Sequence, residues 1–381
     1  MKCKPWIVLF LFFGASLLLS NCIDEKKEQS NSKKFSIVDS ISIPIISQSL
    51  VFGGYLPEED VFLFGNTSSE IQIIETDRNG EILQSFYCGG EGEEKIGYKL
   101  SGLGYLNEKD IGIISERGLY QFKRSGEFKS FVADPDEMTR FNETKLYAVN
   151  RGKSTLVVGS HHSFSDSEQS ADIYSNEFYE KFNHFTLYEL PSGEISSKAG
   201  FDDHSFFQRR NEVFIGNIHY LHDEHKGKIY LINNPDPAIY VYNVKNDFSY
   251  EGKISLRPDF FKLQKSNTEF LKALYSSSSY TGIVVEDQKI IITYRTGVPE
   301  EAFPSTILSA QEGGDLYNKH NKVYVMLYEN GQKVTCDILC SDKIYRILAS
   351  IGQDEYLVEP NTGKVELPDK EIFYICKLEK K

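Results

Sequence analysis

The stretch Ile71-Gln-Ile-Ile-Glu-Thr-Asp77-Arg-Asn-Gly80-Glu-Ile82 contains the pattern that predicts the fold of this chain of 381 residues. Apolar side chains recur through its first six positions, as in a half-buried β-strand. Asn79-Gly80 then supplies residues that adopt the positive φ of a tight turn, and a second strand follows. The same pattern, an apolar strand and a polar turn leading into a second strand, occurs six times. The six copies are 71–82, 119–128, 185–195, 239–250, 323–334 and 356–365.

Further strand-like runs lie between most of these hairpins, at 61–64, 110–115, 155–159, 228–232, 282–294 and 345–349. Two inner strands and one outer hairpin make the four-stranded blade of a β-propeller. The sequence therefore predicts an all-β, six-bladed propeller with irregular blades, because long insertions occur at 161–183, 196–227 and 258–320. We expect the alternating runs 35–43 and 371–378 to share a blade and close the ring. The alternative is a pair of β-sandwiches or another meandering all-β fold.

The N-terminus has the parts of a bacterial export signal. Lys2 and Lys4 supply positive charge, and an apolar run at 6–19 is shorter than the ~18 to 20 residues of a membrane-spanning helix. Leu19-Ser-Asn-Cys22 resembles the lipobox of bacterial lipoproteins, in which the preceding peptide is cleaved and the cysteine is acylated. The sequence thus predicts a signal peptide at 1–21 and lipidation of Cys22. The alternative is an ordinary secretory signal with an incidental cysteine.

Residues 22–34 are charged or polar with no apolar periodicity, which predicts a flexible tether. A tether of this length has a root-mean-square reach of roughly 20 Å, and lipid chains on its first residue would hold the chain on a bilayer. No linker-like segment divides residues 35–381, so we expect a single propeller domain there. The predicted location is the outer membrane, with the domain facing the periplasm or exposed on the cell surface.

The charge balance excludes one class of partner. The net charge is −13, and loss of residues 1–21, which contain two lysines and no acid, would make it −15. An acidic surface repels phosphate backbones, so we expect no nucleic-acid partner. No motif calls for a cofactor, and none is predicted. Of the cysteines beyond Cys22, Cys340 and Cys376 are the one candidate disulfide pair, because they fall on neighbouring C-terminal strands.

Taken together, Cys22, the charged tether, the hairpin repeat and the stretch Cys88-Gly-Gly-Glu-Gly-Glu93 make the chain resemble uncharacterised Bacteroidetes lipoproteins with a TolB-like six-bladed propeller. The charged residues after Cys22 also resemble the export signal of surface-exposed lipoproteins in that group. The only tryptophan, Trp6, lies in the predicted signal, so the structural tryptophan of WD40 and quinoprotein propellers is absent. This resemblance concerns architecture and implies no catalytic residues.

Two groups of residues are candidates for a metal or ligand site. His219, His222, Asp223 and His225 lie within seven positions, and imidazoles with carboxylates are ligands for zinc and related metals. Their spacing matches no standard zinc motif, and the alternative is a solvated hairpin loop. The second group is Asp202, Asp203 and His204, followed by Arg209 and Arg210. Acid, base and cation together could position an acidic substrate or exchange protons; the alternative is an ordinary polar loop.

Two insertions contain helical spacing. Ser266-Asn-Thr-Glu269 is a capping-box pattern before apolar residues at 270, 271, 274 and 275, and aromatic residues recur every four positions at 174, 178 and 182. We expect short helices packed on the propeller rim, with a lid over the channel mouth as the alternative.

The leading functional hypothesis is a lipid-anchored, extracytoplasmic binding protein that recognises a protein, peptide or glycan without catalysis. The alternatives are a hydrolase with a His/Asp or metal site at the channel mouth and a structural subunit of an envelope assembly.

Overall fold

The computed structural model describes residues 33–45, 50–67, 70–134, 144–160, 182–200, 219–264, 268–304, 309–365 and 370–380. These residues form six antiparallel sheets, each the blade of a six-bladed β-propeller, as the hairpin repeat predicts. Within the described ranges, no helix is both long enough and apolar enough to cross a membrane. The predicted signal peptide at 1–21 and the predicted lipidation site Cys22 lie outside the described residues.

Each blade is numbered from its innermost strand outward. Blade 1 contains β2 (Leu50–Leu56), β3 (Val61–Asn66), β4 (Gln72–Thr76) and β5 (Ile82–Tyr87). Blade 2 contains β6 (Leu100–Tyr105), β7 (Asp110–Ser115), β8 (Gly118–Lys123) and β9 (Phe128–Ala133), with the short parallel strand β10 (Thr144–Lys145) inside β6. Blade 3 contains β11 (Tyr147–Asn150), β12 (Thr155–Ser160), β13 (Phe185–Leu190) and β14 (Glu194–Lys198).

Blade 4 contains β15 (His219–His225), β16 (Lys228–Asn234), β17 (Ala238–Asn243) and β18 (Ser249–Ser255). Blade 5 contains β19 (Ser279–Glu286), β20 (Lys289–Arg295) and β21 (Val323–Glu329), with β22 (Gln332–Lys333) and β23 (Ile338–Leu339) sharing the fourth position. Blade 6 contains β24 (Ile344–Gly352), β25 (Glu355–Pro360), β26 (Glu371–Lys380) and, outermost, β1 (Lys33–Ile43).

Blade 6 joins the two ends of the described chain and confirms the predicted closure. β1 pairs with β26 from Lys33 opposite Lys380 to Ile43 opposite Glu371. The strand begins inside the segment 22–34 that was predicted as tether, because Lys33 takes part in this ladder and its Nζ lies 3.2 Å from Glu329 Oε1.

The prediction that 356–365 forms the outer hairpin of a sixth blade is wrong. The first half of this segment is β25, the second strand of blade 6, and the following link leads to the third strand β26 rather than to an outermost strand. The fourth position is already filled by β1. The outer two strands of this blade, β26 and β1, therefore come from opposite ends of the described chain. A hairpin pattern is local, so it does not show that this pair takes the place of a hairpin.

Apolar packing between blades forms the core. Six hydrophobic clusters fill the six spaces between neighbouring blades, including the space between blades 6 and 1, where the rings of Phe64 and Phe373 lie 4.7 Å apart. Strands such as β3 and β7 are buried at every position, whereas the outermost β5 and β9 alternate between exposed and partly buried residues. Inner strands therefore appear in the sequence as continuous apolar runs and outer strands as alternation.

The antiparallel order gives the ring two different faces. One face, which we call the turn face, carries the links between first and second strands and between third and fourth strands, such as 57–60, 77–81, 226–227 and 287–288. None of its links exceeds five residues. The opposite face, the insertion face, carries every long link, including 88–99, 134–143, 161–184, 199–218, 256–278 and 296–322.

Within the described parts of the insertions, two α-helices lie on the insertion face. α1 (Phe270–Ser276) confirms a helix at this place, but its N-cap is Glu269 and makes no side-chain capping bond, so the capping box predicted from Ser266 is wrong. α2 (Ala310–His320) was not predicted, although Ser309 and Glu312 form a true capping box. Its internal Gly313 and Gly314 conceal it, because glycine disfavours helix. The helix expected at 172–182 lies outside the described residues except at its end.

Neighbouring blades are also tied together by charged side chains near the turn face. The buried carboxylate of Glu75 in blade 1 accepts two hydrogen bonds from Arg124 of blade 2, at 2.7 and 3.0 Å, and one from the Tyr105 hydroxyl at 2.9 Å. Hydrogen bonding to Glu75 raises the pKa of Arg124 above its usual value. More exposed ion pairs join other neighbouring blades near this face: Arg78 with Glu355, Lys226 with Asp287, and Lys289 with Asp354. Lys198, the last residue of β14, also pairs with Asp247 of blade 4.

The thiols of Cys340 and Cys376 are free and buried in the same cluster between blades 5 and 6, so the disulfide considered for them does not form in this structure.

Closure by β1 predicts a matched pair of outcomes. Ile41 is fully buried between blades 6 and 1, so Ile41→Ala should lower the free energy of unfolding by about 2 to 5 kcal/mol, because it removes apolar contacts and leaves a cavity. Val38, in the bulge of the same strand, is 47% exposed, and Val38→Ala should change stability by less than about 0.5 kcal/mol. Urea unfolding of both variants measures this, and equal effects would contradict the closure.

Candidate functional site

The centre of the ring contains a polar cluster to which several blades contribute; we call Lys145, Tyr147 and Asp223 the channel cluster. Lys145 comes from β10, Tyr147 from β11 and Asp223 from β15, which are the innermost strands of blades 2, 3 and 4. Lys145 Nζ lies 3.7 Å from Asp223 Oδ1, and the Tyr147 hydroxyl lies 3.2 Å from the same oxygen. That hydroxyl also lies 3.0 Å from the backbone oxygen of His222.

The remaining blades complete the surroundings of this ion pair. The backbone N–H of Val285 in blade 5 donates to Asp223 Oδ2 at 2.8 Å. The Lys145 ammonium lies 5.4 Å from the ring centroid of Phe52 in blade 1, and the charge of Arg346 in blade 6 acts on it as well. Lys145, on the short parallel strand β10, thus lies near residues of blades 1, 4 and 6.

Burial dominates the protonation of the channel cluster. It raises the pKa of Asp223 and lowers the pKa of Lys145, while each partner's charge opposes the shift of the other. Burial, followed by the charge of Asp223, raises the pKa of Tyr147 well above its usual value. Such a pair costs desolvation energy on both sides and tolerates the loss of one partner poorly.

The His222 ring makes no hydrogen bond to this cluster in the described structure. Its ring packs edge-on against Tyr147 at 5.3 Å and Phe185 at 5.2 Å, in the space between blades 3 and 4. Neither ring nitrogen has a hydrogen-bond partner among the residues that the structure describes. Burial lowers its pKa to about 3, with the charges of Lys145 and His184 acting in the same direction, so the ring is neutral at pH 7. His222 therefore packs as a neutral aromatic ring.

His184 accompanies it in the same space. Its ring lies 5.0 Å from Tyr220, Nδ1 pairs with the backbone oxygen of Ala199, and burial lowers its pKa to about 4.

The segment 219–225 is thus an inner strand of the ring, and the solvated hairpin loop that we considered for it is wrong. His222 and Asp223 are 9% and 8% exposed, because the inner strand of a blade has neighbours on both sides. His225, at the turn-face end, accepts a hydrogen bond from the Asp287 backbone N–H at 3.1 Å. His222 and His225, three positions apart on a strand, point in opposite directions, which fits the two-residue period.

The positions of His222, Asp223 and His225 test the metal site that the hydrolase alternative could use. In the described part of the chain, no group of three or more His, Cys, Asp and Glu side chains is placed to hold a metal ion. The side chain of His219, together with Asp202, Asp203 and His204, lies outside the described residues. A site built from that second group stays a prediction.

A second group of functional interest lies at the insertion-face end of the channel; we call Ser279, Arg295, Tyr317, Tyr345 and Arg346 the mouth cluster. The centre of the Arg295 guanidinium lies 4.8 Å from the ring centroid of Tyr317 and 5.6 Å from that of Tyr345. Its Nε donates to Ser279 Oγ at 2.9 Å. The guanidinium of Arg346 lies 5.6 Å from the same Tyr345 ring, and its Nε donates to Glu359 Oε2 at 2.6 Å.

Sequence reasoning missed Lys145 and Arg295. Each is a single basic residue in a short strand or at a strand end, with no motif around it, and their partners are 78 and 22 positions away at Asp223 and Tyr317. Only the ring brings these residues together.

The channel cluster predicts a rescue between two variants. Lys145→Met should lower the free energy of unfolding by about 3 to 5 kcal/mol at neutral pH, because Asp223 is left as an uncompensated buried charge. Adding Asp223→Asn should restore part of the loss, since the amide is neutral and keeps an acceptor for the Val285 N–H. Denaturant unfolding of both single variants and the double variant tests this; a double variant less stable than Lys145→Met would refute the coupling.

No family model matches the chain, and no curated protein matches it. Among solved structures, the chain is similar to a luciferin-regenerating enzyme, with a TM-score of 0.46, 8% identity, and coverage of 92% of this chain and 98% of that one. It is also similar to the WD40 domain of Pan2 from Neurospora crassa, with a TM-score of 0.45, 9% identity and coverage of 90% and 94%. For BamB from Moraxella catarrhalis the TM-score is 0.39, with 9% identity and coverage of 90% and 97%. These values carry no argument about function; the six blades rest on the sheet order described above.

Proposed function

We propose that this chain is a lipid-anchored, extracytoplasmic propeller that binds a protein, peptide or glycan at its insertion face and catalyses no reaction. The single observation that carries the proposal is the difference between the two faces. Links on the turn face are at most five residues long, whereas all the long links begin and end on the insertion face. Long loops on a rigid scaffold are where binding surfaces are usually built.

The interior of the ring supports surface recognition. Lys145 and Leu146 occupy the inner edge of blade 2, and the backbone oxygen of Leu146 is so close to Gly104 that a Cβ there would lie 2.5 Å from it. In the channel cluster, Asp223 is buried, Lys145 and Tyr147 are partly buried, and the three side chains pair with one another. A ligand therefore meets loops and the mouth cluster before it could reach the channel interior.

The position of β1 agrees with an anchor at Cys22. β1 is the outermost strand of blade 6, and it enters the ring at Lys33, beside Lys380 and Glu329, on the turn face. A tether from an acylated Cys22 would join the propeller on that face, so the insertion face would be directed away from the bilayer. In this proposal, the tether joins the propeller at the turn face and the ligand binds at the insertion face.

Within this proposal, the resemblance to Bacteroidetes lipoproteins with TolB-like propellers favours the outer membrane, with the domain on the periplasmic side or at the cell surface. The proposal requires no cofactor and no nucleic-acid partner.

The anchor is tested by replacing Cys22. We expect the wild-type protein in the membrane fraction with an acylated mature N-terminus, and Cys22→Ala released from the membrane or retained with its signal uncleaved. Cys336→Ala, which changes an exposed cysteine, is the control and should behave as wild type. Fractionation and mass spectrometry of the N-terminus give the result. Equal membrane retention of a cleaved Cys22→Ala protein would refute the anchor.

Binding at the insertion face is tested by photo-crosslinking in cells. A photoreactive amino acid at Tyr98 or Leu274, which are 65% and 38% exposed in insertion-face links, should give discrete adducts. The same amino acid at Ser125 or Lys153, both exposed on the turn face, should give none. Adducts are detected by their mass on gels and identified by mass spectrometry. Adducts from the turn face alone, or from neither face, would contradict the proposal.

A further inference from the structure

Arg295 differs from the paired arginines of this protein. Arg78, Arg117, Arg124 and Arg346 each lie within 3.1 Å of a carboxylate. Arg295 has no carboxylate within ion-pair distance in the described part of the chain, and its one hydrogen bond there is from Nε to Ser279 Oγ. No described residue therefore pairs with the two Nη groups of Arg295, in a chain with 55 acidic and 42 basic residues.

The guanidinium is nevertheless held in place. It is partly buried at the end of β20, with the ring of Tyr317 at 4.8 Å and that of Tyr345 at 5.6 Å. Tyr317 is only 9% exposed, and its helix α2 is fixed by the capping box at Ser309 and by the close packing of Tyr275 on Gly313. Stacking on tyrosines and the bond to Ser279 leave little side-chain freedom to lose, which is the condition for strong bidentate binding.

The local charge favours an anion at this point. Arg346 lies over the same Tyr345 ring as Arg295, and Lys145 is close enough for the charge of Arg346 to act on it. Arg346 is paired with Glu359 and Lys145 with Asp223, whereas Arg295 has no acidic partner among the described residues. A partly buried cation without a counter-ion is costly, and an incoming anion would relieve that cost.

The chemistry indicates a carboxylate. A guanidinium offers two parallel N–H groups that match the two oxygens of a planar carboxylate, and one unpaired arginine balances a single negative charge. Phosphate groups carry more charge and are usually held by several cations or by backbone N–H groups. We propose that Arg295 anchors a carboxylate group of the ligand that binds at the insertion face. This inference rests on the proposed function and names the chemical class of its ligand.

The test uses small probes on the detergent-solubilised full chain, with isothermal titration calorimetry as the readout. N-acetylglycine represents a peptide carboxylate and glucuronate a sugar carboxylate; N-acetylglycinamide and glucose are their neutral counterparts. We expect a carboxylate probe to bind more tightly than its neutral counterpart. The stronger of the two carboxylates identifies the source of the group.

Variants link this preference to Arg295. Arg295→Met should weaken carboxylate binding at least about tenfold, and Arg295→Lys should retain part of it, because an ammonium keeps the charge but lacks the paired donors. Arg257→Met, which changes an exposed arginine, should bind as wild type. Thermal unfolding of each variant shows whether the fold is intact, and Arg295→Lys provides the answer if Arg295→Met unfolds.

Three results would overturn the inference: no preference for carboxylates over neutral probes, unchanged binding by Arg295→Met, or tighter binding of inorganic phosphate than of either carboxylate. Each leaves the proposed function standing if Tyr98 and Leu274 still give adducts. Absence of adducts from both of these positions, with no other change in the protein, contradicts the proposed function itself.

Discussion

The ladder between β1 and β26 is the interaction on which the rest of the structure depends. Every blade buries both of its faces, one against the preceding blade and one against the following blade. An open ring would leave two such faces in water. At roughly 25 cal/mol for each square ångström of apolar surface, exposing two faces would cost more than a typical domain's net stability. The outermost strand of blade 6 comes from the beginning of the chain, so closing the ring requires both ends at once.

Closure also fixes what stands at the centre. Inner strands from different blades meet there, and some of their polar side chains are largely removed from water. Asp223, Lys145 and Tyr147 satisfy one another, and the Val285 N–H completes the set. His222, one residue before Asp223, turns into an aromatic space and stays neutral. A charged segment is tolerated in the core only because the ring supplies partners from other blades.

The two faces of the ring carry different features. Short links and ion pairs such as Arg78 with Glu355 connect blades near the turn face, where the chain also enters at Lys33. The insertion face carries the long links, both helices and the mouth cluster. Arg295, held between two tyrosines and without a carboxylate in the described structure, stands on the side where the proposed ligand would arrive.

The sequence by itself determined the strands, the turns and the closure of the ring. Hairpin periodicity and turn residues are local properties, and five of the predicted hairpins are the outer hairpins of blades 1 to 5. Only the tertiary structure decided the rest. In the structure, β1 and not the sixth predicted hairpin is the outermost strand of blade 6, and α2 forms although it contains two glycines. The tertiary structure also made a buried strand of 219–225 and brought Lys145 to Asp223. These outcomes depend on contacts between residues far apart in the chain, and the free energy of those contacts is absent from any local pattern.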